Sequence, residues 1–224
     1  RDLVLLRTRD GFVQSRTKFI NVARGHAKSL GLRVPPCSAD AFHRRAAEVL
    51  CEEDIPGISL VLDTIERLTR TIRDLDGRIE ELAANHYPET QVLRQVAGVG
   101  PLTALCFVLT IEDPTRFANS RQVGAYLGLV PKQRDSGDRQ PQLGISKRGD
   151  VMLRRLLVGS ARYVIGPIGP DTDLRAFGLR VSATGGRAGR NRAAIAVARK
   201  LTVLLHRLWI TGEVYQPVGY ERST

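Results

Sequence analysis

The sequence predicts a mainly α protein in which a long coiled-coil helix is followed by a compact helical domain with a helix-hairpin-helix-like turn. Three observations predict it. Apolar residues recur at alternating spacings of three and four through Ile58, Val61, Ile65, Leu68, Ile72, Leu75, Ile79 and Leu82, an a/d heptad seam. Helix-type patterning returns near 151–165 and 191–211, and alternating strand patterning is nearly absent. A 42% hydrophobic share over 224 residues is enough to bury a core.

Three regions are expected: 1–57, 58–86 and 87–224. The first opens with a basic amphipathic helix ending near Gly31, broken by Pro35-Pro36. A short helix is predicted from about Ser38 to Glu53, stopped by Pro56-Gly57. The heptad helix follows. Isoleucine at every first position and Val or Leu at every second favours two strands. The seam fits a partner helix in cis or in trans, and also fits a helix packed inside its own subunit.

After His86-Tyr87-Pro88, the run Val96-Ala97-Gly98-Val99-Gly100-Pro101 has the hydrophobic-Gly-hydrophobic-Gly pattern of a helix-hairpin-helix turn. Gly98 and Gly100 allow the tight turn, and the N-H groups opening the next helix suit a phosphate of any base sequence. A glycine-rich turn made only for packing fits as well. Short helices are expected between Arg116 and Leu129, including Ser120 to Leu127. A polar stretch runs from Pro131 to Gly149, then a helix from about Val151 to Ile165, a glycine-rich break from Gly166 to Gly189, and a last helix near Asn191 to Thr211.

The formal charge is +11, which points to a polyanion and, first among polyanions, to nucleic acid. The charge is grouped. No acidic residue occurs from Leu174 to Gly212 or from Gly11 to Ala39, while both stretches are rich in Arg and Lys. Cys37, Cys51 and Cys106 form no CxxC pair, and their odd count argues against a disulfide framework. The four histidines are too scattered to suggest zinc by spacing, so no structural metal is expected. The longest apolar run, Val96 to Ile111, is shorter than a membrane span. No signal peptide is evident, and a soluble, cytoplasmic protein with no membrane partner is expected. The chain starts at Arg1 and its one methionine is Met152, which suggests a fragment.

Cleaving a phosphodiester with a side chain needs a hydroxyl nucleophile, positive charge around the phosphate, and a route for the hydroxyl proton. Ser136, next to Gly137, has Arg134, Arg139, Lys147 and Arg148 close in sequence, and Asp135 or Asp138 could orient it or take its proton. Between Lys132 and Arg155 seven basic residues, Arg154 among them, face three acidic ones. A serine-glycine pair in a loop is also an ordinary turn. Ser146 is a rival that looks more like a helix N-cap or a phosphate contact.

These segments occur in a telling order: Gln95 to Gly100, Arg116-Phe117, Tyr126 to Pro131, Asp135-Ser136-Gly137, Gly144 to Asp150, and Leu153 to Leu157. With Ala198 to Leu201 and Thr211 to Tyr215 they closely resemble the C-terminal domain of the insertion-sequence-110 transposases, also called the 116/110/902 family. The resemblance covers most of 91–217. It implies a DNA-transposing recombinase with Ser136 as nucleophile, attacking a DNA phosphodiester to leave a phosphoserine link. It further implies an element-encoded bridge RNA as guide and assembly of copies through the coiled coil. Magnesium is expected only at an upstream RuvC-like domain with four acidic residues. That pattern is not found here: Asp40, Glu48, Glu52, Glu53 and Asp54 read as solvated helix charges, and residues 1–30 resemble the helix that follows such a domain. Gly98, Gly100, Arg134, Arg139, Ser146, Lys147, Arg148 and Arg154 are the expected nucleic-acid contacts. The alternative is a catalytically inactive remnant that binds nucleic acid and dimerises.

Overall fold

A computed structural model describes residues 1–132, 143–183 and 185–219. Among the described residues it is helical, with nine α-helices and one isolated antiparallel bridge between Pro131 and Ile145. The mainly α expectation is met. The chain divides into two compact units, Arg1–Ile79 and Glu80–Thr224.

In the first unit α1 (Asp2–Ser29) and the first part of α3 (Ile58–His86) run antiparallel. Arg9 holds Asp76 through two hydrogen bonds of 2.8 and 3.1 Å, and one heptad later Arg16 donates to Thr69 at 3.2 Å. The seam therefore closes within the chain, and its buried face differs from the a/d pattern. Ile58, Ile65, Ile72 and Ile79 are buried as the first positions of each heptad should be, and so is Leu75, a second position, but Leu62 and Thr69 are buried in place of Val61 and Leu68, which stay half-exposed. Phe42 and Ala46 of α2 (Phe42–Ala47) complete the core with Ile20, Ala23, Leu50 and Ile55.

The second helix is shorter than the 38–53 expected. Phe42, Ala46 and Leu50 share one helical face, but Ile55, five positions on from Leu50, would be turned about 140° away in a continuing helix. The chain turns instead, so that both Leu50 and Ile55 reach the core. Two carboxylates read as solvated, Glu52 in that turn and Asp40 ahead of α2, have specific partners. Glu52 accepts the Gly57 and Ser59 N-H groups at 2.6 and 3.1 Å, closing the open end of α3, and those bonds, Gly57 first, lower its pKa.

Asp40 accepts from the buried Arg16 at 2.6 Å and from Arg73 at 3.4 Å. Burial works to raise its pKa, but the bond and charge of Arg16, with Arg73 behind, hold the carboxyl below its ordinary 3.8. A lowered folded pKa gives stability that is present above the unfolded value and fades as pH falls through the folded one. Denaturation midpoints measured from pH 6 to 2 are therefore expected to fall less steeply below about pH 4 in Asp40→Asn than in the parent. The difference is small, because the Asp40 side chain is 46% exposed.

The second unit is built on α9 (Gly186–Thr211), whose Ala193, Val197, Leu201, Leu205 and Leu208 are buried among α4 (Glu89–Leu93), α6 (Ser120–Tyr126), α7 (Val151–Ile165) and α8 (Asp173–Ser182). The remaining helix, α5 (Pro101–Ile111), packs on α4 and α7, and its Phe107 meets Trp209 edge-on at 6.2 Å. α8 lies in the stretch expected to be a glycine-rich break. Its Gly178 is a packing residue: an added Cβ would sit 2.3 Å from Ile165 Cγ2 and 2.8 Å from Val197 Cγ2. α9 also starts five residues earlier than Asn191, at Gly186, which with its N-cap Gly185 has positive φ. Its C-terminus is closed by Gly212 at φ 66°.

His206, fully buried on α9, ties the layers. Its Nε2 donates to the Pro114 carbonyl at 2.9 Å, so Nδ1 is left to accept the Ser120 hydroxyl at 3.0 Å.

Candidate nucleic-acid interface

α6 ends at a sharp reversal, and the chain then runs outward from Leu129 to Lys132 and back from Leu143 to Arg148. The two limbs pair. Lys132 N-H donates to Gly144 O at 3.0 Å, Ser146 N-H to Val130 O at 2.8 Å and Lys147 N-H to Gly128 O at 3.1 Å. Segment 133–142 leaves and rejoins the described chain at this ladder. Ser136, Arg134 and Arg139 belong to it and lie outside the described residues.

Two glycines let the limbs touch. Gly128 has φ 68°, and a Cβ there would stand 2.3 Å from Arg148 N and O. Gly149 has φ 76°, and its Cβ would stand 2.2 Å from Tyr126 O. Both positions demand glycine twice over, for conformation and for space. Asp150 then caps α7, accepting from Leu153 N-H at 2.7 Å. Ser146 is therefore not the N-cap. Its Oγ is buried without a hydrogen-bond partner, in a cleft lined also by Lys132, Arg148 and Arg199.

The expected contacts separate by position. Lys147 and Arg148 are exposed on the returning limb, with Lys147 in the left-handed region at φ 58°. Arg154 is buried, and its Nη1 donates to Leu127 O at 3.0 Å and Arg148 O at 2.7 Å. It clamps the ladder from beneath rather than facing outward. Arg154→Met is expected to cost roughly 2–3 kcal/mol, since a charged donor is lost and two buried carbonyls are left short. Chemical denaturation of the two proteins checks this.

Gly98 and Gly100 also differ in role. Gly98, at φ 84°, turns the chain where a Cβ would be 3.0 Å from Tyr163 Cδ1 and 3.1 Å from Ser160 O, so its face is taken up by α7. Gly100 is exposed and caps α5, with nothing near its missing Cβ. Pro101 has no N-H, which leaves Leu102 and Thr103 as the first donors of that end. Arg94 and Arg155 line the same cleft. Neither was among the expected contacts, because Arg94 closes α4, Arg155 lies on α7, and only the fold brings them together.

Among the described residues no group of three or more His, Cys, Asp or Glu side chains could hold a metal ion. Nor is any helix there long and apolar enough to cross a membrane.

Comparison with known proteins matches the model of the "Transposase IS116/IS110/IS902 family" to residues 90–173. The chain is 36% identical over 220 residues to the transposase for insertion sequence element IS1111A of Coxiella burnetii, covering 95% of this chain and 59% of that protein. It is 30% identical over 217 residues to a probable family 20 transposase of Pseudomonas aeruginosa, covering 94% and 64%. It is 32% identical over 217 residues to the transposase for IS1328 of Yersinia enterocolitica, covering 94% and 63%. The chain thus spans about six-tenths of the length of these relatives.

Proposed function

The chain belongs to the IS116/IS110/IS902 family of transposases, and from that premise we propose that it binds DNA and breaks and rejoins strands through Ser136. In this reading Ser136 Oγ attacks a backbone phosphorus, a phosphoserine ester forms, and the bond to one sugar oxygen breaks. Asp135 or Asp138 takes the serine proton, and the departing sugar hydroxyl is protonated in turn. The ester keeps the bond energy, so attack by another strand's hydroxyl restores the diester and frees the serine.

The observation that carries the reading is the ladder at 128–132 and 143–148. It fixes both ends of the segment bearing Ser136 and sets Lys147 and Arg148 exposed beside it. Those two side chains are assigned to phosphates, with Ser146 as a neutral donor toward the same anion. Arg134 and Arg139 are assigned to the phosphate from the serine's own segment, Gly98 and Gly100 to the turn that grips the backbone, and Arg154 to positioning. Catalysis needing magnesium is assigned to acidic residues beyond this segment, guidance to an element-encoded RNA, and pairing of copies to α3, whose Leu68 remains half-exposed. The protein acts on DNA in a prokaryotic cytosol.

Binding to duplex DNA checks the electrostatic half of this reading. If about six phosphates are contacted, affinity falls by roughly 10³-fold between 50 and 200 mM salt, and Lys147→Ala with Arg148→Ala lowers the salt slope by about 2. Binding that ignores salt would remove the proposal's basis.

A further inference from the structure

We infer that the cleft between α8, α9 and the loop ladder takes up an unpaired deoxynucleotide of a DNA strand, an inference that rests on the nucleic-acid reading above. The cleft has a volume of about 1090 Å³. Its floor is hydrocarbon and aromatic, with Leu174 and Phe177 from α8 and Ile195 and Val203 from α9. Its edge is cationic, with Lys147, Arg192, Arg199 and Lys200. The acidic residue among its described lining is Asp173, whose carboxylate accepts the Gly219 N-H at 2.7 Å.

A paired duplex presents phosphates and groove edges to a protein, and an apolar floor offers those groups nothing. An unpaired base presents a flat apolar face and carries its phosphates at the margin, matching floor and edge together. Phe177 is half-buried, and the Lys200 ammonium lies over one face of its ring, 4.5 Å from the centroid, so a cation is held on the aromatic part of the floor itself. The strand is taken to be DNA because the proposed function acts on DNA, and RNA of the same sequence is the competing occupant. The α8 half of this floor was missed in the sequence, where that stretch was expected to be a break.

The test uses the chain with three probes of one sequence containing 2-aminopurine: single-stranded DNA, the same strand fully paired, and its RNA counterpart. Affinity and base fluorescence are read at fixed low salt, with thermal unfolding of each variant as the control for folding. The single strand is expected to bind about 10-fold tighter than the duplex, with quenched 2-aminopurine. Phe177→Leu is expected to abolish both the preference and the quench while duplex affinity persists. Arg199→Glu, at an exposed edge position, is expected to weaken the single strand more than the duplex. Equal affinity for both DNA forms, a quench that survives in Phe177→Leu, an Arg199→Glu preference like the parent's, or tighter binding of RNA would each overturn the inference. In those cases duplex binding would leave the proposed function intact and free the cleft for another occupant, such as a second copy. Failure to bind any of the probes would overturn both.

Discussion

Ser136→Ala is expected to reduce DNA strand transfer by roughly 10⁴-fold or more while leaving DNA affinity nearly unchanged. The asymmetry follows from the chemistry assigned to it. A hydroxyl that becomes part of a covalent ester cannot be replaced by a methyl group, and no charge near a phosphate is altered. The assay needs the chain supplied with the remaining part of a full-length relative, magnesium, guide RNA and both DNA partners. Ser146→Ala in the same assay is expected to reduce transfer far less, because Ser146 is assigned to hold a phosphate and its Oγ is buried. If the two variants exchanged phenotypes, the nucleophile would be Ser146. If neither changed transfer, the chain would be a binding module.

The second large effect is structural. Gly128→Ala and Gly149→Ala are each expected to lower stability by about 2–5 kcal/mol, combining the left-handed backbone penalty with displacement of a packed neighbour. The neighbours are backbone atoms at 2.3 and 2.2 Å from the new methyl, so no side-chain rotation relieves the contact. The limbs of the ladder must separate, and with them the fixed ends of the segment carrying Ser136. Gly77→Ala is the internal control. Gly77 lies within α3 with nothing within 4 Å, so alanine there is expected to stabilise by roughly 0.5–1 kcal/mol. Thermal unfolding of the three proteins reads all of this directly.

Much of the scaffold was legible because it depends on local chemistry. The bounds of α3 follow from its heptad, those of α7 from its apolar run, although Asp150 and not Ser146 caps it, and the end of α1 from Gly31. What escaped depends on partners distant in sequence. The face of α3 shifted toward Leu62 and Thr69 because α1 packs on it, and no periodicity within α3 names that partner. α8 was hidden because Gly178 reads as a breaker until Ile165 and Val197 are seen to occupy its Cβ space. A signal was present nonetheless: Thr172 ahead of Asp173, with Leu174 and Phe177 on one face, is a capped amphipathic start. At the candidate site, where the ladder was expected only as a polar loop, charge counting located the basic residues around it. It did not separate Arg154, which is buried under two carbonyls, from Arg148, which is exposed, because one arginine reads like another until burial is known.

The proposed chemistry passes through a covalent bond between Ser136 and DNA, and that bond can be trapped. The chain, its complementing partner, magnesium and guide RNA would be mixed with end-labelled donor DNA, quenched, and resolved on a denaturing gel. A labelled protein adduct is expected with the parent chain and with Ser146→Ala, and none with Ser136→Ala. An adduct of equal yield in Ser136→Ala, or no adduct from a mixture that completes strand transfer, would contradict that chemistry.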